Sequence, residues 1–563
     1  MTIAEQLGPV ASPDALPVDP RPYDAAGAES APTRSRRLTT LAVALLALSP
    51  FVVAAWSIIR TGFPAGALFG DRALIGISAI DAWRAPVLLG SYSRFYWHHP
   101  GPLYSYVLNA WSVVFGDGTV ALVLGAVAIN ATAVVGILVL AYRRGGRPLL
   151  MWASVLLTAY LVAIDPVPFD IWNPSVTLVP FVVVLLLAWS VACRDWWAGP
   201  WLALVASFAV QTHVGLAPGV GVAVGFGVAV GVVRQRRAAD PLADRTGRTI
   251  RRAAGASGAI AFVVWLPPLI EQFTTDDGNL SALVRFFSRP GSPHTISEGL
   301  TNTGLQATLM LRSLFEPISL REDFHQGLTV AVVVSAVALA AALVAARKVC
   351  ATDVLVLLAL VAVELVTGVY AITRIVDAIQ FYLVQWISGV GFVLWLAIGG
   401  ACIEFAHARW SGVDWWRRCA QAATVVMVAV LCVGALRAFP TDAGRMNRDL
   451  NVPDNRELFG YVPSAQLLAA TRSNRTVVLR LDSLTAWEVM ASDALLLVQH
   501  GRHVEVVETP VTRLLFDDAL LVRSARRSQI LAFRDRPDPH LRGRETLVAD
   551  QGEWSIVNIE PGS

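Results

Sequence analysis

Lysine is almost missing from this 563-residue chain: Lys348 is the only one, and every other basic residue bar the histidines is arginine. That usage fits a GC-rich bacterial genome. Cysteine is scarce too. The five (Cys193, Cys350, Cys402, Cys419 and Cys432) lie in or beside apolar segments, and none has CxxC spacing. Neither a disulfide framework nor a zinc site is suggested by that pattern. Charged residues make up 15% of the chain, against about 25% in a soluble domain. The formal net charge of +3 does not define a nucleic-acid surface, because the basic residues cluster in short loops. Matched Gly/Pro-broken spans, which a transporter built from repeats would show, are missing as well. One break, at Pro218, has no counterpart.

What the chain has is apolar length. Its mean hydropathy is +0.55 and 55% of its residues are hydrophobic. Leu38–Ile59 and Gly327–Ala346 contain no charged residue, and each is long enough to cross about 30 Å of hydrocarbon as a helix. The sequence therefore specifies a polytopic, all-α membrane protein.

Charge sets the expected topology. Residues 1–33 are rich in Pro, Ala and acidic residues and lack periodicity, so 1–37 reads as a disordered cytoplasmic tail ending in "RSRR". No small-residue cleavage site follows the first apolar run, which reads as an anchor. The other basic loops, "RRGGR" (143–147), "CRDWW" (193–197), 234–252, "ARK" (346–348) and "HARWSGVDWWRR" (407–418), belong inside. Parity then keeps "PLYSYVLNAWSVVFG" (102–116) out of the span count, as a helix lying on the outer face. About eleven spans result: 38–59, 119–142, 148–164, 175–192, two within 200–233 that turn at "QTHVGLAPG", 253–270, 326–346, 353–371, 379–403 and 420–437. The first outer loop (60–118), 165–174, 271–325 and a C-terminal region (438–563) share the outer side. In that region "RTVVLRL" (475–481) and "RHVEVVET" (502–509) read as strands, with a helix between them. A small extracytoplasmic α/β domain is expected. No glycine-rich loop follows its first strand, so no nucleotide site is expected there.

The first outer loop carries Asp71, Asp81 and Asp117. Carboxylates held where an outer loop meets lipid can take a proton from a sugar hydroxyl while facing a lipid-borne substrate. The alternative is a solvated loop acid or a helix cap. The segment from Asp71 through "HHPGPLYSYVLNAWSVVFG" resembles the first outer loop of C-type glycosyltransferases (GT-C), in particular the protein mannosyltransferase and aminoarabinose-transferase-like group. These have an acid after helix 1, a "HPPLYY"-like segment and then a helix ending in cytoplasmic arginines. "FDIWNPSVTLVPF" (169–181) and "TRIVDAIQFYLVQW" (373–386) resemble later segments of the same family, and the likeness spans roughly 40–437. Gly101 departs from the pattern by separating the two prolines. Gly76 departs by standing where related sequences carry an acid.

The resemblance implies an enzyme of the bacterial plasma membrane that moves a sugar from a polyprenyl-phosphate donor to a cell-wall glycan, glycolipid or protein, with inversion. By that resemblance Asp81, then Asp71, are the candidate bases. Arg374 and Arg94 would contact the donor phosphate, since a guanidinium fork pairs bidentately with phosphate. Arg374 could instead be an arginine snorkelling at a helix end. His99 and His98 would hydrogen-bond phosphate or acceptor, or else brace the Pro-Gly-Pro turn. His213, Trp172, Asn173 and Tyr96 would line the substrate cavity, or serve as helix-entry and interfacial structure. No cofactor is required, although Asp165, Asp170, Asp276 and Asp277 could help hold a divalent cation. Two non-enzymatic alternatives are a transporter of lipid-linked sugars and an inactive envelope-assembly subunit.

Overall fold

The computed structural model describes residues 34–63, 68–82, 85–116, 118–164, 167–238, 243–289, 294–314, 327–411, scattered residues between 418 and 433, and most of 464–560. The expected tail before residue 34, the expected last span (420–437, apart from isolated residues), Asp117 and Asp165 lie outside them. Among the described residues, eight helices are long and apolar enough to cross a membrane. The chain is a multi-pass membrane protein.

Four helices open the chain: α1 (Arg34–Thr61), α2 (Asp71–Asp81), α3 (Leu103–Phe115) and α4 (Thr119–Ala163). At about 1.5 Å per residue, α3 reaches only ~20 Å, too short to cross. The 45 residues of α4 would reach ~68 Å if straight, about twice the hydrocarbon thickness. The backbone breaks at Gly146 (φ 63°, ψ −156°), two residues before Pro148. Only glycine adopts that conformation without strain. Asn130 Nδ2, in the first arm, donates to Pro168 O, just past the second, at 2.8 Å. The arms therefore fold back on each other, so the spans expected over 119–142 and 148–164 are two arms of one broken helix.

The apolar window of Asn173–Ala192 is entirely buried, and this helix forms the centre of the bundle. Ala217–Arg237 packs on it through glycine. A Cβ at Gly227 would stand 2.8 Å from Ala188 O, and one at Gly231 2.6 Å from Val191 O. Small residues let backbones meet where apolar burial gives no net drive between helices in lipid. The described part of residues 271–325, expected as a loop, contains the helices Asn279–Ser288 and Ile296–Ala307 and the single turn Leu309–Arg312. The second begins with a capping box between Thr295 and Glu298.

Thr352–Thr373 runs the length of the bundle. At its start Asp353 accepts from Arg144 and from Arg234 (2.8 Å), and nearby Arg143 pairs with Asp195 at 2.9 Å. Arg374 caps its other end.

The C-terminal region holds a six-stranded sheet in the order β5-β4-β3-β6-β8-β7. It comprises β3 (Val477–Leu481), β4 (Val504–Val507), β5 (Leu521–Val522), β6 (Gln529–Asp535), β7 (Glu545–Asp550) and β8 (Trp554–Ile559). Strands β3 to β6 are mutually parallel, and β8 and β7 run antiparallel. The helix Trp487–Gln499 links β3 to β4 and lies against α2. At their contact a Cβ on Gly76 would stand 3.1 Å from both Leu122 and Leu495. Gly76 is therefore a seam residue between the two parts of the molecule, and an acidic side chain there would have no room.

Candidate active site

The start of α2, the hairpin that follows it, Trp172–Pro174, the His213–Pro218 turn and the Arg374–Trp386 segment converge on one cavity of about 350 Å³. Of the residues singled out from sequence, Asp71, Arg94, His99, Trp172, Asn173, His213 and Arg374 line it. Asp81, His98 and Tyr96 do not.

Asp71 stands in the first turn of α2, behind Gly70, whose φ of 54° favours glycine. Its carboxylate is held from both sides. Tyr92 Oη donates to Oδ1 at 2.8 Å, and Trp172 Nε1 donates to Oδ2 at 2.9 Å. Each oxygen keeps a lone pair for a further proton. Burial, followed by the charge of Asp71, pushes the Tyr92 phenol above its ordinary range, so it remains a donor. Trp172 is itself fixed. Asp170 accepts its backbone N–H (3.0 Å) and the Ser175 hydroxyl (3.2 Å), and takes Arg72 bidentately. The Arg72 guanidinium also lies 5.4 Å from the Trp172 ring centre. Asp170 thus acts as a brace for the indole that holds Asp71.

The hairpin pairs β1 (Tyr92–Ser93) with β2 (Trp97–His98). Tyr96 sits at its tip with φ 63° and is 76% exposed, outside the cavity. His98 ties the hairpin to the next layer. Its N–H donates to Asn279 Oδ1 (2.8 Å), its C=O accepts from Asn279 Nδ2 (2.9 Å), and its Nδ1 bonds Gly90 O (3.2 Å). His99 faces the cavity. The Val214 N–H donates to its Nδ1 at 3.1 Å, which fixes the neutral Nε2–H tautomer. Burial, with His213 and His98 nearby, holds its pKa well below the usual imidazole range. The His213 ring packs against it at 5.0 Å, with the Tyr382 backbone as its polar neighbour. Gly101 has a local reason. A Cβ there would fall 2.4 Å from Gln211 Oε1, in a side chain anchored to Val264 O.

Arg94 and Arg374 are exposed on the cavity wall, and neither pairs with a described acidic residue. Arg94 stacks on Phe95 at 4.9 Å. Phe286, Phe287, Tyr370, Ile375 and Leu383 make the wall beside them apolar. Asp81 lies at the other end of α2, ten residues and about 15 Å from Asp71, and is 5% exposed. Of the two aspartates, only Asp71 lines the cavity. Asp277 pairs with Arg285 at 2.6 Å. Among the described residues no three His, Cys, Asp or Glu side chains stand close enough to hold a metal ion, so the suggested cation set is not assembled there.

Two supporting residues escaped the sequence reading. Tyr92 lies two positions before Arg94. Asp170 was weighed only as a cation ligand, although its place two residues before Trp172 suits an Asx-type bond to that backbone.

Comparison with protein-family models and, by sequence, with curated proteins finds no match. Comparison with solved structures does. The crystal structure of ArnT from Cupriavidus metallidurans bound to undecaprenyl phosphate aligns at a TM-score of 0.55 and 14% identity, over 93% of this chain and 98% of that one. The apo state of the same protein aligns at 0.50 and 13%, over 92% and 97%. With both chains covered almost end to end, the membrane helices and the C-terminal sheet domain together share the fold of that ArnT structure.

Proposed function

We propose that this chain is an extracytoplasmic glycosyltransferase that moves a sugar from a polyprenyl-phosphate donor to an acceptor hydroxyl, with Asp71 as general base. The observation that carries this reading is the single cavity that presents a doubly braced carboxylate and two arginines unpaired with any described acid beside an apolar wall. A polyprenyl chain suits the apolar side. The phosphate suits Arg94 and Arg374, whose charge-assisted bonds are the strong kind.

The acceptor oxygen attacks the anomeric carbon as Asp71 takes its proton, and a new C–O bond forms. The bond between that carbon and the phosphate oxygen breaks, and polyprenyl phosphate leaves with the electron pair. Negative charge grows on the leaving oxygen, where a positioned guanidinium counts most. A single displacement inverts the anomeric centre. His99 Nε2–H is a fixed donor for a sugar or phosphate oxygen.

The test is turnover in purified proteoliposomes, using lipid-linked sugars extracted from the source cell's membranes. Formation of a new glycosidic bond by the native chain and its loss in Asp71→Asn support the reading. Movement of the lipid across the bilayer without bond formation would replace it with a transporter.

A further inference from the structure

The C-terminal domain touches α2 at the turn that carries Asp71. The Gly70 N–H donates to Glu488 O at 3.3 Å. The Glu488 side chain lies flat on Gly70, its Cγ and Cδ 3.4 and 3.5 Å from where a Cβ would stand. Its neighbour Trp487 meets the Tyr92 ring edge-on at 5.6 Å, and the Tyr92 hydroxyl is what holds Asp71 Oδ1. Two consecutive residues of one helix thus grip the residue before Asp71 and the donor to Asp71. Lower in the same seam, Leu495 fills the space over Gly76, and Gln499 bonds Thr119.

We propose that the C-terminal domain belongs to the catalytic centre, supplying Trp487 and Glu488 as positioning residues that fix Tyr92 and the start of α2, and through them Asp71. The proposal rests on the reading of Asp71 as base. It departs from a role for this domain in capturing the acceptor alone, because neither contact is made to the open cavity. The ionisable groups facing Glu488 are Asp71 and Arg72 on α2 and Tyr92 on the hairpin. Burial and then the Asp71 charge push the Glu488 carboxyl up, and Arg72 pulls it back.

The experiment uses the full chain in proteoliposomes, with the extracted lipid-linked sugars as donor and undecaprenyl phosphate as the binding probe. Trp487→Ala is expected to lower kcat on the order of 10²-fold, the cost of misplacing a reacting group by about 1 Å. KM and undecaprenyl phosphate binding stay within about twofold. Trp487→Phe keeps an edge contact with Tyr92 and restores most of kcat. Glu488→Gln lowers kcat and leaves KM unchanged. If the native chain turns over and Asp71→Asn does not, yet Trp487→Ala and Glu488→Gln keep native kcat, the positioning role is overturned. A rise in KM for the acceptor at constant kcat overturns it in favour of acceptor capture. Full turnover in Asp71→Asn removes the base reading instead, and so tells the two failures apart.

Discussion

The two ends of the helix Thr352–Thr373 treat arginine in opposite ways. At the Asp353 end, Arg143, Arg144 and Arg234 all have carboxylate partners. At the other end, Arg374 and, across the cavity, Arg94 have none among the described acids. A guanidinium with a partner is part of the scaffold, because removing it strands the acid it pairs. A guanidinium without one, on a concave wall, is open to an anion from outside the chain, the role proposed above for the donor phosphate. The third arginine near the cavity, Arg72, sharpens the rule. It is paired with Asp170, and so it supports the Trp172 that holds Asp71 and leaves no fork free for a ligand.

Breaking this contrast starts with the carboxylate. Asp71→Asn should lower turnover by roughly 10²–10⁴-fold, the usual contribution of a general base. Asp81→Asn, at the far end of the same short helix, should leave it within a few-fold. Equal losses in the two would end the assignment. Next come the unpaired cations. Arg94→Ala and Arg374→Ala should each weaken undecaprenyl phosphate binding by about tenfold or more, since a hydrogen bond to a charged group is worth about 1.5–3 kcal/mol. Asp353→Ala should leave that affinity alone and lower the melting temperature. If Asp353→Ala weakened binding as much as Arg94→Ala, the distinction between the two ends would fail.

Packing gives a smaller effect. A Cβ at Gly90 would meet Gly101 O, His99 O and Gln211 O at 2.8–3.0 Å, all of them backbone. Gly90→Ala should cost about 1–3 kcal/mol of stability by overpacking, read as a fall in melting temperature. The smallest effect belongs to His99. Its folded pKa lies below the ordinary value of 6.5, so at low pH the unfolded chain binds a proton that the folded chain refuses. Its contribution to stability is complete above about pH 6.5 and is lost as the pH falls through the lower folded value. His99→Gln should flatten the decline in melting temperature over that window, and an unchanged slope would contradict the buried neutral imidazole.

The membrane class and the cavity's composition were legible for different reasons. Uncharged runs such as Leu38–Ile59 announce a helix whatever surrounds them, and parity of basic loops kept Leu103–Phe115 out of the span count. The site aromatics and histidines stood out as polar or bulky residues in an apolar chain. Which of Asp81 and Asp71 meets the cavity was not legible, because both acids flank one short helix and only the fold tells its two ends apart. The meaning of Gly76 was hidden in the same way. Its neighbours, Leu122 and Leu495, are 46 and 419 positions away, and no local pattern reports a contact at that range. The helices within 271–325 were missed although "TISE" (295–298) is a readable capping box.

The glycine-lined seam between α2 and Trp487–Gln499 also has a consequence in time. Ribosomes make α2 early and its covering helix some 400 residues later, at roughly 5–20 residues per second. For tens of seconds the segment bearing Asp71 waits with Gly70 and Gly76 uncovered. The membrane helices can insert in that interval, but the seam closes only when the C-terminal domain has reached the cavity side and folded. The part of the protein made last thereby completes the part made first, and a chain interrupted before residue 487 would carry the aspartate without its clamp.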